Sequence, residues 1–282
     1  MASVWPDTVG RLVAIGGAED KESEAEILAR LLSLAPEGNG QVTVIATASG
    51  IPDEVVATYA AVFERLGAGR FQTLGIRTRQ DAADPERVDV IERSGVIFFT
   101  GGDQLRLTNV LGGSPVLAAI RERFKAGAVV AGTSAGAVAL STTMIYNGGA
   151  ADALRKGGVK MTSGLGFVDN MIIDSHFLAR GRVTRLMAVG ATNPEHLGVG
   201  LGEDAAVIIH PNRVLEAFGS GHVILIDSRH LASSNVAELE MNEPIAIENL
   251  IVHALIQGHG YDIDGRTYLS PETLGSRIGE QP

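Results

Sequence analysis

The 282-residue chain contains no cysteine. That absence excludes disulfides, thiolate nucleophiles and cysteine-ligated zinc together. The chain is also short of positive charge: 23 Lys and Arg stand against 33 Asp and Glu, a formal net charge of −10. Proteins that read a phosphate backbone present basic faces, so no nucleic-acid partner is expected. Long hydrophobic runs are missing too. The apolar stretch from Ala128 to Ala131 and its flanks are broken by Gly or polar residues well short of a membrane span, so no membrane partner is expected. The start Met-Ala-Ser-Val-Trp-Pro-Asp has neither the basic segment nor the apolar core of a signal peptide. With the missing cysteines, this gives the expectation of a cytoplasmic protein. Repeats, low-complexity blocks and long linkers are absent, so one domain over residues 1–282 is expected.

What is present is ample core material, with 45% apolar and 20% charged residues. In the first half, short β-branched runs alternate with helical patterns, the signature of a mostly parallel sheet with helices on both faces. Strands are expected at Leu12 to Ile15, Val42 to Ala46, Phe71 to Leu74, Val96 to Phe99 and around Val129. Helices are expected at Ser23 to Ala35, Val55 to Leu66, after Asp84-Pro85, and from Leu105 to Lys125 with a break at Gly112 to Pro115. After about residue 141 the rhythm changes. A strand at Met171 to Ile173 and a helix at Thr184 to Ala191 are followed by closely spaced strands at Val199, Val207 to Ile209, Val214 to Phe218 and Val223 to Ile226. That spacing predicts an antiparallel extension of the sheet. Glu248 to Gln257 reads as a last helix, and the polar tail from Pro271 as frayed.

The chemistry centres on Gly132-Thr133-Ser134-Ala135-Gly136, between a buried strand and the start of a helix. A serine nucleophile must stand clear of the backbone, and a sharp strand-to-helix turn flanked by small residues presents it that way. The same turn also serves a helix that merely packs closely on a sheet. Its company favours the nucleophile. Gly16-Gly17 and Gly101-Gly102 also follow strands, and ligands gather at the carboxyl ends of strands in an open α/β sheet. The Ala135 and Gly102 backbone N–H groups are candidates for an oxyanion hole. Of seven histidines, His176 ends a strand and is trailed by Arg180, Arg182 and Arg185, whose guanidinium groups suit a substrate bearing carboxylates. Glu203 and Asp204 are both plausible partners for His176, and the spacing does not choose between them. No His, Asp or Glu set has a metal-ligand spacing, so neither metal nor other cofactor is expected.

Together these residues resemble the cyanophycinases, serine peptidases related to peptidase E. The resemblance runs through Ile15 to Lys21, Thr100 to Leu107, Gly132 to Ala137, Asp174 to Leu186, Gly198 to Ala206 and Pro244 to Leu250. It implies a peptidase E-like α/β fold of the flavodoxin and class I amidotransferase type, acting without a metal as a homodimer. The implied activity is exopeptidase hydrolysis of cyanophycin, a poly-aspartate carrying an arginine on each β-carboxylate, to β-Asp-Arg dipeptides. The missing signal peptide then implies use of an internal store. Carried onto this sequence, the resemblance makes Ser134 the nucleophile, His176 the base and Glu203 its orienting carboxylate. It places Gln104, Asp174, Arg180, Arg182 and Arg185 around the substrate, with Ser175 beside the pocket; the charges of such a substrate then assign the arginines as a carboxylate clamp and Asp174 or Asp103 to the guanidinium. Two positions depart from the family pattern: Ser175 stands where Gln is best known, and Gly202 where Asp is common. Ser175 bears on substrate preference more than on reaction type.

Two other readings remain in view. One is a peptidase E-like aspartyl dipeptidase acting on α-linked dipeptides. The other is a non-catalytic nucleotide-binding module, disfavoured because Gly16-Gly17-Ala18-Glu19-Asp20 lacks the Gly-x-Gly-x-x-Gly spacing and carries two acids that repel phosphate.

Overall fold

The computed structural model describes residues 8–279. The first half alternates strand and helix: β1 (Leu12–Ile15), α1 (Glu26–Ser33), β2 (Gln41–Ile45), α2 (Pro52–Arg65), β3 (Arg70–Leu74), α3 (Pro85–Glu92), β4 (Val96–Phe99), α4 (Gln104–Leu111), α5 (Pro115–Lys125) and β5 (Val129–Thr133). Strands β1, β2, β4 and β5 are buried along their whole length, which is why β1 and β4 read as unbroken apolar runs and β2 and β5 carry few polar residues. Successive side chains point to opposite faces. Leu12, Ala14, Ile97, Phe99 and Val130 enter one core, while Val13, Ile15, Val96, Phe98 and Val129 enter the other. Helices α1 and α2 cover the second face through Ile27, Leu28, Leu31, Tyr59 and Phe63. Local caps set the helix starts: Asp84 accepts from Glu86 N with Pro85 behind it, and Ser114 accepts from Leu117 N ahead of Pro115 to Lys125.

The chain continues through α6 (Ala135–Val138), β6 (Thr143–Asn147), β7 (Lys160–Ser163), β8 (Met171–Asp174), α7 (Val183–Thr192), β9 (Leu197–Leu201), β10 (Ala205–Ile209), β11 (Val214–Gly219) and β12 (Val223–Asp227). It ends with β13 (Ser233–Ser234), β14 (Ile247–Glu248), β15 (Ile251–Leu255), β16 (Gly260–Asp262), β17 (Thr267–Leu269) and α8 (Pro271–Gly279). The main sheet has the order β17-β16-β11-β10-β1-β5-β4-β2-β3. The run from β1 to β3 is parallel, and β10, β11, β16 and β17 extend it antiparallel from the β1 edge. The expected antiparallel extension is therefore present, with different members. Strands β9 and β12 leave the main sheet and join a second one, β15-β12-β9-β8. That sheet packs Met171, Ile173, Val199 and Leu225 onto the first core and turns Ile172 and Ile226 toward Leu186 and Val189 of α7.

Three sequence expectations need correction. The expected helix from Glu248 to Gln257 is strand: β15 pairs along its full length with β12, from Val223 opposite Leu255 to Asp227 opposite Ile251. Leu250, Ile251, Ala254 and Leu255 mimic a helical face, but β-branched Ile251 and Val252 suit a pleated edge whose alternate residues face water. Helix α1 starts at Glu26 rather than near Ser23, because the Asp20 carboxylate holds the backbone of residues 22 to 25 in a turn. The tail is not frayed as far as Gly279: α8 buries Leu274 beside Val214 and Leu269. The end of that tail and the N-terminal heptapeptide lie outside the described residues.

Adjacent strands β1 and β5 send their chains to opposite faces. The chain leaving β1 reaches α1 on the second core, and the chain leaving β5 enters α6, whose Ala137 and Val138 lie in the first. A crevice opens between their carboxyl ends, the place where open α/β sheets bind ligands.

Candidate active site

Ser134 stands in that crevice, between β5 and α6, with φ 52° and ψ −114°. This left-handed backbone is costly for a residue with a Cβ and lifts the side chain off the strand. The glycines on either side are sterically required. A Cβ on Gly132 would lie 2.5 Å from the backbone carbon of Gly136, and one on Gly136 would lie 2.4 Å from the Phe99 carbonyl oxygen. The Ser134 N–H donates to Ile15 O at 2.9 Å, tying the turn to β1.

His176 follows β8 by two residues and adopts φ 47°. Its N–H donates to Gly16 O at 2.9 Å, and its ring lies over Gly17, where an added Cβ would come within 2.5 Å of Cε1 and Nε2. Gly17 is thus bare to admit the imidazole. His176 Nε2 is 3.0 Å from Ser134 Oγ, and its Nδ1 is 2.8 Å from Glu203 Oε1. The turn between β9 and β10 carries Glu203, and Gly16 lets that turn approach: a Cβ on Gly16 would lie 1.8 Å from Gly202 O. Asp204, left open beside Glu203 by the sequence, points elsewhere. It accepts from Asp20 N at 3.1 Å and from the Ser220 hydroxyl, while its own N–H donates to Gly17 O at 3.0 Å. Ser134, His176 and Glu203 thus form a continuous relay, with Asp204 stitching the loops beneath it.

Of the two oxyanion candidates, Ala135 begins α6 directly after Ser134. On the other strand end, Gly101 is the nearer neighbour, its Cβ position 3.7 Å from Ser134 Oγ, whereas Gly102 at φ 140° backs onto Ala48 O.

The expected substrate contacts divide. Asp103 caps α4, its Oδ1 accepting from Leu105 N at 2.8 Å and Arg106 N at 3.2 Å. Gln104 Nε2 donates to Ile145 O at 3.1 Å, and Arg180 is exposed. Asp174, Arg182 and Arg185 do not form an open clamp. Asp174 is fully buried, and its Oδ1 accepts from Arg185 Nη2 at 2.6 Å and Arg182 Nη1 at 3.0 Å. Its Oδ2 accepts from Arg185 Nε at 2.8 Å. Arg185 is 4% exposed. Burial draws the Arg182 guanidinium below its ordinary range, with Asp174 opposing. The physical reason for this arrangement is valence: a buried carboxylate needs donors, and these two arginines supply them. Ser175 is buried as well. Its carbonyl accepts from Arg182 Nη1 at 2.7 Å, so the cluster holds the bend that carries His176.

The sequence reading assigned no role to a second cluster beside Ser134. Glu19 is buried, its Oε1 accepting from the Tyr59 hydroxyl, its Oε2 from Thr133 Oγ1 at 2.8 Å, and Lys21 Nζ lying 3.1 Å from Oε1. Burial, followed by the Glu19 carboxylate, keeps the Tyr59 phenol protonated far above its ordinary range. These residues, Ser134 and Gly101 line a cavity of about 240 Å³. The one sequence signal was an acid two residues after a glycine pair at a strand end.

Asp20 organises the same loop, accepting from the N–H groups of Glu22, Ser23 and Ala25, each at 2.9 Å. Those bonds, Ser23 and Ala25 foremost, lower its pKa from 3.8 to about 2. A lowered folded-state value means that its contribution is complete above the unfolded pKa and is lost as pH falls through about 2. The expected carboxyl-carbon titration of Asp20 by NMR has its midpoint near 2. A midpoint at the ordinary value would detach Asp20 from these bonds.

Comparisons with known proteins identify the family and the fold. The model of peptidase family S51 matches residues 12–216. Proteins called cyanophycinase from Nostoc sp. and Geminocystis herdmanii are 36% and 34% identical, covering 92% and 91% of this chain and 87% and 94% of their own. The crystal structure of a peptidase from an acI-B1 Actinobacterium superposes with a TM-score of 0.67 at 21% identity, covering 91% of this chain and 98% of that one. A putative peptidase E protein from Listeria monocytogenes gives 0.53 at 19% identity, covering 75% and 99%. The two structures share the peptidase E-like fold. With a family model spanning most of its length and relatives above 30% identity along nearly all of it, this chain belongs to peptidase family S51 and is a serine peptidase.

Proposed function

We propose that this peptidase hydrolyses cyanophycin to β-Asp-Arg dipeptides through a Ser134-His176-Glu203 triad and an acyl-enzyme. The observation that carries the proposal is the unbroken relay of 3.0 Å and 2.8 Å from Ser134 through His176 to Glu203, in a chain similar to proteins called cyanophycinase. Ser134 Oγ attacks the backbone carbonyl carbon while His176 Nε2 takes its proton. Glu203 holds the Nδ1–H tautomer and stabilises the cation that forms. The Ala135 N–H, with one from the Gly101-Gly102 segment, faces the oxygen where charge develops. As the tetrahedral intermediate collapses, His176 returns the proton to the leaving amine and the C–N bond breaks. Water, deprotonated by His176, then cleaves the Ser134 ester. The same reading takes the chain as one domain that works as a homodimer in the cytoplasm.

The test is incubation with insoluble cyanophycin and identification of the soluble products by mass. The expected product is β-Asp-Arg. Cleavage of α-linked aspartyl dipeptides with no action on the polymer would transfer the assignment to an aspartyl dipeptidase.

A further inference from the structure

We infer that the cavity flanking Ser134 is a carboxylate subsite, and that Lys21 is its specificity-determining residue, reading the free carboxylate of the arginyl group beside the scissile bond. The inference rests on the cyanophycin reading and adds to it where a substrate charge is recognised.

The need arises because the inward-turned arginines are already committed. Arg185 is buried on Asp174, and Arg182 divides its Nη1 between Asp174 Oδ1 and Ser175 O. Each repeat of the polymer nevertheless brings a carboxylate on its arginine. Lys21 is the cation in the wall of the cavity that contains Ser134. At about 240 Å³ the space is below that of a drug-sized site and suits one substrate side chain.

The electrostatics favour an anion there. Glu19, the cavity's acid, has a side chain only 1% exposed, whereas that of Lys21 is 25% exposed. Glu19 spreads its charge over Tyr59, Thr133 and Lys21, deep in the wall, so the charge that meets a ligand is the ammonium. Two contacts fix that ammonium: Nζ donates to Glu19 O at 3.0 Å and lies 3.1 Å from Glu19 Oε1. It also sits 5.3 Å from the centroid of the Tyr59 ring. An ammonium has three N–H donors, so one remains for a ligand. Lys21 is thus a cation preorganised at the cavity wall, and its flexibility is removed before substrate arrives.

The test compares two oligomers of β-Asp-Arg, one with free arginyl carboxylates and one with those carboxylates as primary amides, both keeping the terminal backbone carboxylate. The readout is the ratio of kcat/KM for acid over amide. Wild-type enzyme is expected to prefer the acid, and Lys21→Met to reduce that preference about 10- to 100-fold, the usual value of a hydrogen bond to a charged group. Lys21→Arg, which keeps the charge, is expected to retain most of the preference. A preference unchanged in Lys21→Met overturns the inference, including the case in which both rates fall together because the loop is disturbed or the terminal carboxylate is what is read. That outcome leaves cyanophycin hydrolysis standing. Wild-type enzyme that cleaves neither oligomer overturns the cyanophycin reading and this inference with it.

Discussion

Ser134→Ala is expected to lower kcat/KM on the polymer by about 10⁴-fold or more, with the fold intact. The magnitude follows from what is lost and what remains. Removing Oγ deletes the atom 3.0 Å from His176 Nε2, and no other hydroxyl donates to that nitrogen among the described residues. The backbone donors beside Ser134 and the substrate-binding surface persist, so a residual acceleration over water survives. Triad members act as one unit, so Ser134→Ala combined with His176→Ala should be little worse than either alone. Single-turnover measurement with mass detection of an acylated Ser134 provides the direct check. A loss below about tenfold would move the nucleophile elsewhere. The same position supports a separate reading of stability. A non-glycine residue at φ 52° and ψ −114° carries strain, so Ser134→Gly should be equally inactive yet about 1 kcal/mol more stable in urea unfolding.

Asp174→Leu is expected to destabilise the protein by about 3 to 5 kcal/mol, a large share of a typical folding free energy. Asp174 is fully buried and accepts bonds from Arg185, Arg182 and the Ser175 N–H. Its loss leaves the Arg185 guanidinium, only 4% exposed, with a buried charge whose counter-ion is gone. The Arg185 Nη1 bond to Gly148 O does not replace it. Replacing both partners removes the uncompensated charge, so Asp174→Leu with Arg185→Met should recover most of the loss, a coupling that urea denaturation of the double-mutant cycle measures. An Asp174→Leu protein as stable as wild type would mean that the cluster is hydrated and open, which would return these residues to the substrate clamp that the sequence suggests.

Much of the fold was legible because the parallel strands are covered on both faces. β1 and β4 appear as unbroken apolar runs followed by glycine pairs, a strong local signal. The second half was less legible. Whether β9 and β12 extend the main sheet or form another depends on which strand edge they meet, and nothing local to Val199 or Val223 encodes that choice. The strand at Ile251 to Leu255 was misread as helix for a related reason. Its pairing with β12 outweighs a helical spacing that is equally present in the sequence.

The strand-to-helix turn at Ser134 could be read from residues alone, because Gly132 and Gly136 are steric requirements of so tight a passage. The sequence also pointed to a histidine at a strand end and to a late acid as its partner. Spacing left the two acids open and the family resemblance favoured Glu203; the packing that puts Glu203 on Nδ1 and turns Asp204, one residue on, toward the loop of Asp20 is tertiary. The least legible feature was charge. A sequence shows that arginines cluster near Asp174, but burial decides whether they face a substrate or each other's counter-ion. Here Asp174 lies inside and draws Arg182 and Arg185 with it, while Lys21, inconspicuous in the chain, is held at the cavity wall by a buried glutamate. Steric needs are local and survive in the sequence; the pairing and exposure of charges are properties of the packed chain.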